Sequence, residues 1–175
     1  VDAEVTREDD DTFTISWDVP AETIVIYGGT SPDNIDMTAP LAVTSDENAV
    51  TLDGLAPRER HIFRVQFAGG PRDREAITVA ERELPLEGAV NFRDIGGYRT
   101  TDGQATTWGK VYRAGKLDGL TPADLAYLDR VSIQMVCDLR TQEEMAQAPD
   151  VLPEGAAYVE LPVNTYQSRA QQMRN

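Results

Sequence analysis

Val136-Cys137-Asp138-Leu139-Arg140-Thr141 is a short apolar run that ends abruptly in charge. Ile133, Met135 and Val136 read as a buried strand, and Thr141 opens a helical pattern. In open α/β sheets, ligands bind beyond the carboxyl ends of such strands. Asp138 and Arg140 stand at that position. An aspartate there can exchange a proton, and an arginine can hold an anion. Equally, the two can close the strand end by pairing with each other or with neighbours.

The flanks support a strand-helix alternation. Thr141-Gln142-Glu143-Glu144 is a capping box for a short helix that Pro149 terminates. Upstream, Thr121-Pro122-Ala123-Asp124 has an N-cap, a proline at the first helical position and a capping acid, with Leu125 and Leu128 starting an apolar face. Lys110–Arg113, Ser132–Cys137 and Tyr158–Val163 read as strands around these helices. Alternation of this kind predicts a largely parallel sheet. Cys137 falls inside the second strand, where burial as a small apolar side chain is expected. The Gln167–Asn175 end is polar and helix-permissive, and it stops without closing a domain.

Residues 1–85 have a different period. Ala3–Thr6, Thr12–Val19, Thr23–Tyr27, Pro40–Thr44, Ala49–Leu52, His61–Phe67 and Ala76–Ala80 alternate apolar and polar residues between turn signals. Seven such segments without helical periodicity predict an all-β sandwich. Phe13, Ile15 and Trp17 share one face, and Phe63, Val65 and Phe67 share another, so these two faces supply much of the core. Glu81–Gly88, with Pro85 and Gly88, reads as the junction, giving domains over 1–85 and 86–175. Beyond it, the paired Gly96 and Gly97 after Arg93-Asp94 permit a tight turn or the close approach of another backbone.

The formal net charge is −14 over 175 residues. Residues 1–85 hold 18 Asp/Glu against 7 Lys/Arg, and residues 86–175 hold 12 against 9. So acidic a surface repels nucleic acid and anionic lipid, while the more balanced second half can admit an anionic substrate through local arginines. One cysteine cannot form an internal disulfide, and one Cys with one His cannot build a zinc site. The chain does not begin with Met, which reads as a processed or trimmed start.

Two resemblances refine these readings. Trp17, with Leu55-Ala56-Pro57-Arg58-Glu59-Arg60-His61-Ile62-Phe63-Arg64-Val65, resembles fibronectin type III and related immunoglobulin-like domains. In that family a Leu-x-Pro corner precedes a strand of the form Tyr-x-Phe-x-Val. His61 stands where the tyrosine usually is, so the corner hydrogen bond is expected to be made differently or lost. Such domains commonly act as spacers or docking modules. That likeness and the processed-looking start point to a periplasmic or secreted protein, with the cytoplasm as the other option.

The second half resembles the bacterial tyrosine-phosphatase family whose members also act on phosphoserine, phosphothreonine or phosphoinositides. The likeness is carried by Asn91-Phe92-Arg93-Asp94-Ile95-Gly96-Gly97-Tyr98 and Trp108-Gly109-Lys110-Val111-Tyr112-Arg113-Ala114-Gly115. It continues in Leu117-Asp118-Gly119-Leu120-Thr121-Pro122-Ala123-Asp124-Leu125 and Val136-Cys137-Asp138-Leu139-Arg140-Thr141-Gln142-Glu143-Glu144. It implies an α/β phosphatase fold and hydrolysis through a cysteinyl-phosphate, with no metal and no cofactor. By the same likeness Asp138 would lie beside the nucleophile loop in an acid/base or positioning role. Arg93, Asp94 and Arg140 would brace that loop or bind substrate, and Arg113 would be structural.

The family's nucleophile lies in a His-Cys-x5-Arg loop whose main-chain N–H groups and arginine cradle the phosphate. The only cysteine here is Cys137, and the sixth residue after it is Glu143. The nucleophile is therefore expected outside these residues, later in the same phosphatase or in a separate chain. The substrate would be a phosphorylated protein or a phospholipid headgroup. Two other readings stay open: a partner-binding module with a truncated or inactive phosphatase-like half, and a different α/β enzyme using Asp138 and Arg140.

Overall fold

A computed structural model describes residues 2–19, 22–69 and 73–163; the expected polar end at Gln167–Asn175 lies outside them. The chain divides into two compact units. The first takes the residues up to Pro85 together with Asn91–Arg113, and the second takes Leu86–Val90 with the described residues from Ala114 onward.

Among its described residues up to Pro85, the first unit holds two antiparallel sheets. Strands β1 (Ala3–Asp9), β2 (Thr12–Trp17) and β5 (Ala49–Leu52) form one, in the order β1-β2-β5. Strands β3 (Thr23–Gly29), β4 (Ala42–Thr44), β6 (Ile62–Ala68) and β7 (Ala76–Ala80) form the other, in the order β4-β3-β6-β7. Each of the seven alternating segments overlaps one of these strands. Because successive side chains point to opposite faces, one apolar face per sheet suffices for a core. Phe13, Ile15 and Trp17 on β2 and Phe63, Val65 and Phe67 on β6 are all buried in a single cluster, with Ile24 and Ile26 from β3. Burying each such side chain contributes about 1.5–3 kcal/mol. The Trp17 indole donates to the Glu47 carbonyl at 3.1 Å, so its polar atom is satisfied.

His61 makes the corner bond that its identity left open. Its Nε2 donates to the Ala56 carbonyl at 2.8 Å, five residues upstream. Its ring meets Phe13 edge-on at 5.1 Å and stacks with Phe63 at 6.3 Å.

The division between the units does not follow the expected boundary at residue 85, and packing gives the reason. Ile62 and Ala80, paired across β6 and β7, lie on the sheet face away from the main core, yet they are buried with Trp108. The Trp108 indole donates to the Thr78 carbonyl at 2.9 Å. Strands β8 (Arg93–Asp94) and β9 (Tyr112–Arg113) pair antiparallel, and main-chain bonds join Arg82 and Leu84 to Asp94 and Phe92. Gly96 is required here, because a Cβ would come within 2.4 Å of the Trp108 Cα. Gly97 turns the chain with φ +76°, a conformation that favours glycine.

The second unit contains α1 (Pro122–Arg130), β10 (Met135–Asp138), α2 (Gln142–Gln147) and β11 (Ala157–Glu160). Both helices open on the expected capping boxes, Thr121 with Asp124 and Thr141 with Glu144. Strands β10 and β11 pair in parallel, with Met135, Val136, Cys137 and Asp138 opposite Ala157, Tyr158, Val159 and Glu160. Among the described residues no helix is long and apolar enough to cross a membrane.

One expectation fails in this unit. Cys137 is exposed, and so is Met135 at 57%. The apolar run suggested a strand buried on both faces, but only the face bearing Val136 and Asp138 is covered. The Met135–Cys137 face meets no covering element among the described residues.

Candidate functional site

Asp138 is the last residue of β10, and its side chain is buried. The carboxylate accepts the Arg140 main-chain N–H at 2.9 Å. It also accepts Arg140 Nε at 3.0 Å on both oxygens, and Nη2 at 2.5 Å. The Tyr158 hydroxyl donates to Asp138 Oδ2 at 2.7 Å. Tyr158 stands opposite Val136 on the neighbouring strand, which puts it on the same sheet face as Asp138.

Arg140 is engaged on every side. Nη1 donates to the Ala148 carbonyl at 2.8 Å, where α2 ends. Nη2 lies 2.8 Å from Asp150 Oδ1, which also accepts the Leu117 main-chain N–H at 2.8 Å. A guanidinium held by two carboxylates and a carbonyl ties β10, α2 and the segments around residues 117 and 150 together.

These contacts set the protonation state. The Arg140 guanidinium, with help from the Tyr158 hydroxyl and against burial, holds the Asp138 carboxyl far below the usual carboxylate range. The bond to Asp138 pushes Tyr158 up. Asp138 is therefore an anion at neutral pH. A general acid must carry its proton at the working pH. In this arrangement the carboxylate accepts hydrogen bonds from the Arg140 main chain, the Arg140 guanidinium and the Tyr158 hydroxyl.

Arg93 and Asp94 belong to the first unit, and Asp138 and Arg140, which meet each other, to the second. Asp94 is fully buried. It pairs with Arg60 Nη2 at 2.9 Å and accepts the Gly96 and Gly109 N–H groups, each at 2.7 Å. It braces a loop, but the loop is Gly96–Gly109 of its own unit. Arg93 donates to Asn91 at 2.7 Å and lies 3.6 Å from Glu83.

Tyr158 and Asp150 are the members of the network that sequence reasoning missed. Tyr158 is 20 residues from Asp138 and Asp150 is 10 from Arg140, beyond the reach of any helical or turn spacing. Strand register was the one signal available for Tyr158. Among the described residues no group of three or more His, Cys, Asp or Glu is placed to hold a metal ion.

Comparison with known proteins agrees with the motif blocks. A model of the tyrosine phosphatase family matches residues 84–175. The triple specificity protein phosphatase PtpB of Mycobacterium tuberculosis is 40% identical over 78 residues, covering 44% of this chain and 26% of that protein. The chain thus spans about a quarter of the length of this relative.

Proposed function

The chain belongs to the tyrosine phosphatase family, and we propose that it contributes the Asp138 network to an enzyme hydrolysing phosphomonoesters through a cysteinyl-phosphate. The nucleophile loop lies outside these residues. A thiolate there attacks phosphorus, the bond to the leaving oxygen breaks, and that oxygen takes up a proton. Water then releases inorganic phosphate and restores the thiolate. Substrates are phosphotyrosine, with phosphoserine, phosphothreonine and phosphoinositides in the same chemical class. The name of the relative, a triple specificity protein phosphatase, supports that breadth.

The observation that carries this reading is the apolar face of the β10–β11 pair, which no element covers among the described residues. Parallel strands in α/β folds are covered on both faces, whereas here Met135 and Cys137 are exposed beside Ala157. Further phosphatase residues packed on that face would supply the nucleophile loop. In that assembly Asp138 serves as a positioning anion, holding Arg140 and Tyr158 at the sheet's carboxyl edge. The first unit, read as a fibronectin type III-like module, serves to dock or space.

The test is an assay of a longer polypeptide that carries the Cys-x5-Arg loop, against aryl phosphates of graded leaving-group pKa. A positioning Asp138 predicts that Asp138→Asn slows all of them by a similar factor. A loss on the order of 10²–10⁴ confined to poor leaving groups would instead make Asp138 the proton donor. The 175-residue chain alone should be inactive, and turnover by it would sink the proposal. A non-catalytic binding role has one observation in its favour: Glu143, not Arg, is the sixth residue after Cys137. Inactivity of the longer polypeptide would establish that role.

A further inference from the structure

The first unit contains a cavity of about 540 Å³ with no part in the phosphatase reading. It lies against the outer side of β7, beside Trp108, with Asp2 and Glu4 of the β1 segment also lining it. Three arginines line it as well, the exposed Arg99 and the half-buried Arg64 and Arg82. Arg64 stands opposite Thr78 and donates from Nη1 to its hydroxyl at 3.0 Å. Arg82 donates from Nη1 to the Asp94 and Gly96 carbonyls, at 2.8 and 3.1 Å. Its guanidinium lies over the rings of Tyr98 and Trp108, 4.3 and 4.8 Å from their centroids.

Among the described residues, no acceptor meets Nε or Nη2 of either arginine, and no carboxylate is within ion-pair distance of them. Other poorly exposed arginines of this unit are paired: Arg7 with Glu81 at 2.9 Å and Arg60 with Asp94 at 2.9 Å. Asp2 and Glu4 line the same cavity, Asp2 lying 3.9 Å from Arg99, but neither ion-pairs with Arg64 or Arg82, so these two partly desolvated guanidiniums form a site for a mobile anion. Their donors suit an oxyanion, since a guanidinium fork matches phosphate or carboxylate.

We propose that this cavity binds a small organic phosphomonoester, its phosphoryl group held by Arg64 and Arg82 and its organic part against Ala76, Ala105 and Trp108. A phosphomonoester carries about −1.5 to −2 at neutral pH and matches two guanidiniums, whereas a monocarboxylate matches one. The volume lies in the range of small-molecule pockets, roughly 300–1,000 Å³. Asp2 and Glu4 set an acidic border that disfavours long polyanions. The proposal rests on the first unit alone and is independent of any phosphatase activity.

The test is calorimetric titration of the 175-residue chain with phenylphosphonate, whose carbon–phosphorus bond a phosphatase does not hydrolyse. Benzoate and inorganic phosphate are titrated in parallel. Phenylphosphonate is expected to bind one to one and to weaken as salt is raised. Arg64→Gln and Arg82→Gln should each weaken it by about tenfold or more, the effect of losing a charge-assisted donor. The Arg64 side chain makes one described hydrogen bond, to Thr78, so Arg64→Gln decides the matter if Arg82→Gln disturbs folding. No binding at about 10 mM phenylphosphonate, or an affinity unchanged in Arg64→Gln, would overturn the site. Equal affinity for benzoate would overturn the phosphoryl preference, and equal affinity for inorganic phosphate would overturn the organic ligand.

Discussion

Replacing Asp124 by alanine should unfasten the second unit, because Asp124 does more than cap a nine-residue helix. Its buried carboxylate completes the capping box through the Thr121 N–H at 3.0 Å. It also accepts the Glu87 and Gly88 N–H groups, each at 2.9 Å, so it ties Leu86–Val90 to α1. A hydrogen bond to a charged acceptor contributes about 1.5–3 kcal/mol. The three do not add, because water entering the vacated space satisfies some of the freed N–H groups. A loss of about 3–4 kcal/mol is expected for Asp124→Ala, about 2 kcal/mol for Asp124→Asn, which keeps one acceptor oxygen, and about 1 kcal/mol for Thr121→Ala. Urea unfolding followed by far-ultraviolet circular dichroism measures this, since both described helices lie in the second unit. Amide hydrogen exchange at Glu87 and Gly88 should accelerate in Asp124→Ala.

The pH dependence gives a second readout. Burial pushes the Asp124 carboxyl up, but the N–H groups of Thr121, Glu87 and Gly88 outweigh it and hold the group below its ordinary value. A carboxyl depressed on folding contributes stability that is present above the unfolded pKa, about 4, and is lost as pH falls through the folded value. The gap between wild type and Asp124→Ala should therefore be constant from about pH 5 to 8 and narrow below about pH 4. A loss under about 1 kcal/mol in Asp124→Ala, or unchanged exchange at Glu87 and Gly88, would refute the reasoning.

Three further outcomes are expected. Cys137 should react with a thiol reagent in the folded 175-residue chain and become protected in a longer polypeptide that covers the Met135–Cys137 face; equal labelling in both would remove that cover. Gly96→Ala should lower the melting temperature markedly, since backbone must shift about 1 Å or more to admit the Cβ at Trp108; an unchanged melt would mean that the loop yields freely. His61→Phe should cost about 1 kcal/mol by leaving the Ala56 carbonyl without its donor. His61→Ala should cost about 2–3 kcal/mol by also removing the ring from Phe13 and Phe63, and denaturant midpoints equal to wild type would exclude both contributions.

Legibility in this sequence followed the range of the interactions. The two capping boxes were readable because Thr121 meets Asp124, and Thr141 meets Glu144, three residues along the chain. The buried faces of β2 and β6 were readable because pleating makes alternation a local property. The strand-to-helix turn at Asp138–Thr141, and the pairing of Asp138 with Arg140, span two or three residues and were among the readings the motif allowed. Tertiary structure decided the rest. Whether Cys137 was buried depended on what lies over one face of β10, which its own alternation cannot report. Tyr158 reaches Asp138 only through the parallel register of β10 and β11, and Asp150 reaches Arg140 only through the course of the chain after α2. The same holds for Trp108, which joins the first unit because Ile62 and Ala80 present an apolar face outward. A sequence records which face of each element is apolar, whereas the partner that covers it is chosen by the packing of residues far apart in the chain.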